Sequence, residues 1–175
     1  MVKPKRTDNE FLPLLGHILT SDFSICPWMQ YAFRELGVTA GKGTKNNPEV
    51  VKYLKIVGKS DDSTAWCSAF VNWCMEQAGY RGTRKATARS WLHWGVPIAD
   101  YRFGAVAVFE RGEAWQGHVA FLVRQEGANV WVLGGNQSNQ VNIKKRPIKK
   151  EGGKLLGLRW PPAMGGAGFI MMPAE

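Results

Sequence analysis

The chain has 175 residues, 45% hydrophobic and 21% charged, which suits one folded domain with a real core and excludes a disordered chain. Its net charge of +9 predicts attraction to a polyanion, with nucleic acid, anionic lipid and the bacterial cell wall all eligible. No apolar run approaches the roughly 18 residues that cross a bilayer, so no stable membrane insertion is expected.

At the N-terminus, Val2-Lys3-Pro4-Lys5-Arg6 followed by Phe11 to Leu19 superficially resembles a secretory signal. Asp8 and Glu10 interrupt the approach, Pro13 and His17 break the apolar run, and no small-x-small cleavage site follows. Residues 1–26 are therefore expected to be an arm that packs one apolar face on the domain, not a cleaved leader. Pro27 then opens a helix over Trp28–Leu36, ended by Gly37. Residues 40–47, rich in Gly, Lys and Asn, form a loop. Pro48 opens a second helix, with Val50, Val51, Leu54 and Val57 at helical spacing and Gly58 at its end. A third helix runs from about Ala65 to Ala78, with Asp62, Ser63 or Thr64 as its cap and Gly79 as its stop. Thr87–Trp94 reads as a short fourth helix.

From Gly104 the pattern changes to strands. Ala105–Phe109 is a continuous apolar run, as a strand buried on both faces requires. His118–Val123, Val130–Leu133, Val141–Ile143 and Leu155–Trp160 follow, separated by turns at Glu126-Gly127, Gly134-Gly135 and Gly152-Gly153. Helices grouped before strands predict an α+β domain, helices packed on an antiparallel sheet of about five strands. Residues 162–175 are expected to be an irregular tail, with Phe169–Met172 docking back.

Cys26, Cys67 and Cys74 offer neither a zinc-like spacing nor a disulfide framework. Cys67 and Cys74 lie on one predicted helix, roughly 10 Å apart, too far to bridge. An odd, unpaired count fits synthesis in a reducing cytosol. Cys74 sits two turns inside an apolar helix, as an inert thiol would. Cys67 instead stands where the polar run Lys59–Thr64 becomes a helix, so free N–H groups and the positive end of the helix dipole favour its thiolate.

Of three histidines, His17 falls in the arm and His93 between Trp91 and Trp94, where packing is the simpler reading. His118 follows Gly117 at the start of a strand, where a fixed backbone could bring a base to the thiol. Asn136, leaving the neighbouring strand, could orient the far nitrogen of that ring. Gln137 is the alternative, since register cannot be read to one residue, and Asn136 reads equally well as an ordinary turn residue.

The segments Trp66–Cys74, Gly104–Phe109, Gly117–Val123 and Gly134–Gln137 together resemble the CHAP group (cysteine, histidine-dependent amidohydrolase/peptidase) of papain-like peptidoglycan hydrolases. Pro27-Trp28 and Asn46-Asn47-Pro48 resemble a bacterial and phage branch of that group, and the likeness spans roughly Pro27 to Pro161. It implies a papain-like catalytic domain over residues 27–161, with Cys67 as nucleophile, His118 as base and Asn136 as the orienting residue. It implies bacterial peptidoglycan as partner, cut in the stem peptide or between stem and glycan. Many relatives carry an acidic residue two positions before the Asn; here that position is Gly134. Trp66, Ser68, Trp91, Trp94 and Gln137 are the candidate substrate contacts, with core packing the competing reading for the tryptophans. No cofactor and no metal are expected, and a monomer is the default.

The leading expectation is a single-domain phage endolysin, made in the host cytoplasm without a cleavable signal and acting on the wall in the periplasm. A delivered antibacterial amidase would need the same site. An acyltransferase using the same dyad would look no different in sequence. A catalytically dead fold binding wall or nucleic acid would instead rely on Lys144-Lys145-Arg146 and Lys149-Lys150, but no nucleic-acid motif accompanies them, and a solvated strand edge explains them better.

Overall fold

The computed structural model describes residues 20–42, 45–149 and 153–162. The expectations for the first 19 residues and for Phe169–Met172 lie outside these. Four α-helices precede a six-stranded sheet: α1 Thr20–Ile25, α2 Trp28–Arg34, α3 Pro48–Lys55 and α4 Cys67–Gln77. A 3-10 helix, Ala88–His93, leads into strands β1 Val96–Ile98, β2 Val106–Glu110, β3 Gly117–Glu126, β4 Asn129–Gly134, β5 Asn142–Pro147 and β6 Leu155–Trp160. The sheet order is β1-β6-β2-β3-β4-β5, every pair antiparallel. The expected α+β class is therefore the observed one, with one strand more than expected. That strand, β1, is three residues long and contains Pro97, and it pairs only with β6, as a proline-bearing edge strand should.

Helices α2, α3 and α4 begin and end close to the expected positions because the signals are local. Pro48 stands at the first turn of α3, and Asn47 caps it by accepting from the Glu49 N–H at 2.9 Å. The helix α4 departs from expectation. Its first residue is Cys67 and its N-cap is Trp66, with no side-chain cap. Asp62 is drawn elsewhere, accepting from the backbone of Gly41 (2.6 Å) and Asn47 (2.7 Å) and so tying two loops together. Asp61 accepts from the Ser63 N–H at 2.9 Å.

The core has two parts. One lies between the helices and one sheet face, where Phe70, Val71 and Met75 meet Val119, Phe121 and Leu133. The other lies on the opposite face: Ala105, Ala107, Phe109, Ala120, Leu122, Val130 and Val132, flanked by Ile98, Tyr101 and Leu155. Burial on both faces explains the unbroken apolar run of β2. At full burial each large apolar side chain contributes about 1.5–3 kcal/mol, so these two layers dominate stability.

Polar anchors hold the loops around α4. Asn72, fully buried on that helix, donates to the Ser68 carbonyl (2.9 Å) and accepts from the Arg84 N–H (2.7 Å). Gly82 passes so close that a Cβ there would stand 2.2 Å from Asn72 Oδ1. A second anchor joins α2 to α3: Tyr53 donates to Glu35, and Lys52 donates to the same carboxylate at 2.9 Å.

Candidate active site

Strands β3 and β4 pair no further toward the start of β3 than Phe121–Leu133, so Gly117–Ala120 are paired on one side only, with β2. The first turn of α4 sits at this split. Gly135 lets the departing chain lie flush against it: a Cβ there would fall 2.5 Å from the Trp66 ring and 2.7 Å from Phe70 Cβ. The Cys67 thiol, 3% exposed, meets the backbone N–H groups of Val119 and of its own helix start, Ser68 and Cys67. Burial pushes this thiol up from its ordinary value, while those N–H groups and the charge of Arg111 pull the other way. Burial therefore works against the thiolate that the helix terminus favours. Helix-end stabilisation is present, but the loss of water outweighs it.

Phe109 stands opposite His118 across the β2–β3 ladder, with ring centroids 6.5 Å apart. The imidazole is buried, and burial, followed by the charge of Arg146, lowers it to about 3. Its Nε2 lies 3.2 Å from Gln137 Oε1. The Gln137 amide is fixed from behind: its Nε2 donates to Asn142 at the carbonyl (2.8 Å) and at Oδ1 (3.0 Å). Asn142 Nδ2 returns a bond to the Gln137 carbonyl at 2.9 Å. With the amide nitrogen committed, Oε1 accepts, so the proton of neutral His118 resides on Nε2 and Nδ1 is the basic nitrogen. No hydrogen bond joins Cys67 to the His118 ring. The two meet through one backbone step, the thiol at the Val119 N–H.

The orienting contact to His118 thus comes from Gln137, where Asn136 had been the first expectation. The reason is a run of left-handed residues: φ is +56° at Asn136, +57° at Ser138 and +58° at Asn139. The strand alternation ends there, and the side chain turned to the imidazole is the one after Asn136. Gly134 leaves the room. A Cβ there would stand 2.7 Å from Ala120 Cβ and in ordinary contact, 3.5 Å, with the Gln137 amide carbon, so a side chain at this position would collide with Ala120.

The other expected substrate contacts divide differently. Trp66, Ser68 and Trp91 are fully buried, which corrects the reading of them as groove residues. Ser68 donates to the Lys85 carbonyl (2.6 Å) and accepts from Trp91 Nε1 (2.9 Å), so these two pin the 3-10 helix to α4. Trp66 packs against Tyr53, and its indole N–H has no partner among the described residues. Trp94 is half-buried on Trp91, and Trp115 is 71% exposed. Cys26 and Cys74 are also buried: burial holds Cys26 up at about 12 and Cys74 well above its ordinary value. Among the described residues no group of His, Cys, Asp and Glu could hold a metal ion.

The basic residues of β5 were missed as part of the site. Alternation places Arg146 and Lys144 opposite Val130 and Val132, on the Phe109 face. The Arg146 guanidinium lies 5.3 Å from the Phe109 ring centroid and donates through Nε to Gln137 Oε1 at 3.4 Å. The signal was present as a basic run on an edge strand, but which of its members face the imidazole depends on a register that sequence does not fix.

Comparison with known proteins agrees with this reading of the motifs. The CHAP domain family matches residues 59–136, a segment that contains both Cys67 and His118 and stops one residue short of Gln137. The resemblance to cysteine, histidine-dependent amidohydrolases and peptidases is thereby shown over that segment. Among solved structures, a Staphylococcus aureus protein described as similar to lipoprotein, NLP/P60 family, is similar at a TM-score of 0.47 and 15% identity. The match covers 81% of this chain and 42% of that one, so the chain spans about two fifths of its length. No curated protein matches the chain.

Proposed function

We propose that the protein is a peptidoglycan hydrolase that cleaves an amide of the stem peptide, or the amide joining stem to glycan, through a Cys67 thioester. The observation that carries this reading is the chain of contacts Asn142–Gln137–His118, with the N–H of the next residue, Val119, at the Cys67 thiol. A glutamine held by two bonds to a neighbouring residue fixes one imidazole tautomer, and a fixed tautomer is what a general base requires.

In this reading proton transfer accompanies attack. As Cys67 Sγ bonds to the carbonyl carbon, His118 Nδ1 takes the thiol proton, and Gln137 Oε1 supports the imidazolium through Nε2–H. The N–H of Cys67 is the natural donor to the developing oxyanion. His118 then gives its proton to the leaving amine, the C–N bond breaks, and a thioester remains. Water, deprotonated by the same nitrogen, attacks the thioester and restores the thiol. An endolysin made in the host cytoplasm and acting on the periplasmic wall is the simplest biological setting, and the charge of +9 would hold it to an anionic wall.

Mass spectrometry of purified peptidoglycan after incubation with wild type and with Cys67→Ala tests the reading. New soluble muropeptides from wild type alone are expected, and their termini name the bond. No release by folded, reduced wild type across wall types would remove the hydrolase reading.

A further inference from the structure

The proposed mechanism gives Arg146 no step, yet its charge acts on His118 more than any other does. Its Nε bonds the same Gln137 oxygen that His118 bonds, and its guanidinium carbon lies 5.3 Å from the Phe109 ring centroid. Lys145, one residue earlier and on the other face, pairs with Glu126. Arg146 and Lys144 have no carboxylate partner among the described residues, and neither has Arg111 in the β2–β3 turn. Lys144 is occupied by the Ser138 hydroxyl at 2.6 Å. The two terminal amino groups of Arg146 have no acceptor among the described residues.

Such a guanidinium is costly to hold half-buried without a counter-ion. Desolvation has lowered Arg146 from its ordinary value, with the Arg111 charge acting in the same direction. A planar fork whose terminal amino groups have no acceptor among the described residues, set 5.3 Å from an aromatic ring centroid, matches a carboxylate in two-point geometry. Both arginines also act electrostatically on Cys67 and on His118, so an anion they held would lie within the field of the site.

We propose that Arg146, with Arg111 beside it, forms a carboxylate-recognition subsite, so that the preferred substrate is an amide flanked by a residue bearing a free carboxylate. This rests on the hydrolase reading for its setting, but the binding step can be measured without turnover. A bidentate charged contact supports a preference of about tenfold to hundredfold over an uncharged twin.

The test uses two synthetic peptides alike except that the residue beside the scissile amide carries a carboxylate in one and a carboxamide in the other. Titration calorimetry on Cys67→Ala should show the acid binding at least about tenfold more tightly. Adding Arg146→Met should bring the two to within about threefold, while Arg146→Lys should retain part of the preference. Arg111→Ala, on an exposed turn, gives a second variant free of folding effects and should weaken the preference in the same direction. Equal binding of the two peptides by Cys67→Ala, or a preference that survives both arginine variants, overturns the subsite. Preferential binding of the acid with no cleavage of either peptide by wild type supports the subsite and removes the hydrolase reading alone.

Discussion

Two cysteines on one helix show what makes a thiol chemically useful here. Cys67 opens α4 and Cys74 lies two turns further along, and both are buried in the same core. The surroundings differ in sign. At the first turn the helix has N–H groups without intrahelical partners, and the Val119 N–H and the positive charge of Arg111 add to them. Around Cys74 the nearest influence after burial is the Glu35 carboxylate, which pushes the thiol further from ionisation. Burial alone does not separate a nucleophile from a packing residue; the charge and donors left facing the sulfur do.

The comparison breaks most sharply in activity. Cys67→Ala should remove at least about a thousandfold of the hydrolytic rate, since the nucleophile has no substitute. Cys74→Ala should leave the rate within a few-fold and cost about 1 kcal/mol of stability through a small cavity. Muropeptide release and urea unfolding on both variants check the pair; equal losses of activity would erase the distinction.

Next comes the base. Gln137→Ala should lower kcat by about tenfold to a thousandfold, because the imidazole loses the acceptor that fixes its tautomer. Asn136→Gly should change kcat by less than about threefold, glycine being at ease at φ +56°. A larger effect at Asn136 than at Gln137 would restore the first expectation.

Acid should destabilise the fold through His118. Its folded value of about 3 lies below the ordinary 6.5, so the unfolded chain takes up the proton first. The stability tied to the neutral ring is complete above about pH 6.5 and is lost as the pH falls toward 3. Near pH 4.5 the loss from this one group is about 2–3 kcal/mol. Comparing urea midpoints of wild type and His118→Asn at pH 7 and 4.5 isolates its share. Parallel declines would place the acid sensitivity elsewhere.

The last expected effect is on stability alone. Gly135→Ala forces a Cβ into contact with Trp66 and Phe70 at the start of α4 and should cost about 1–3 kcal/mol. A thermal melt reads this directly, and an unchanged Tm would mean that the helix start yields more easily than its packing suggests.

Much of this was legible beforehand because its causes are local. Proline and glycine positions set the ends of α2, α3 and α4, and apolar continuity marked β2 as buried on both faces. Cys67 stood out as a thiol at a loop-to-helix transition and His118 as a histidine at a strand start, and the structure places the thiol at the residue after that histidine. The three-residue β1 was not legible, since Pro97 argues against a strand until β6 provides an edge.

What only tertiary structure decided depends on register, on left-handed backbone and on water. Three positive φ values select Gln137 over Asn136. The pairing of β5 with β4 turns Arg146 toward His118 and Lys145 away. Closure of the core leaves Trp66, Ser68 and Trp91 without a surface and pushes the Cys67 thiol up despite its favourable helix end. Sequence determines which residues stand at an element's end, because that is a matter of neighbouring atoms. Which side chains then meet, and how much solvent stays with them, is set by strands far apart in the chain, and that fixes the chemistry.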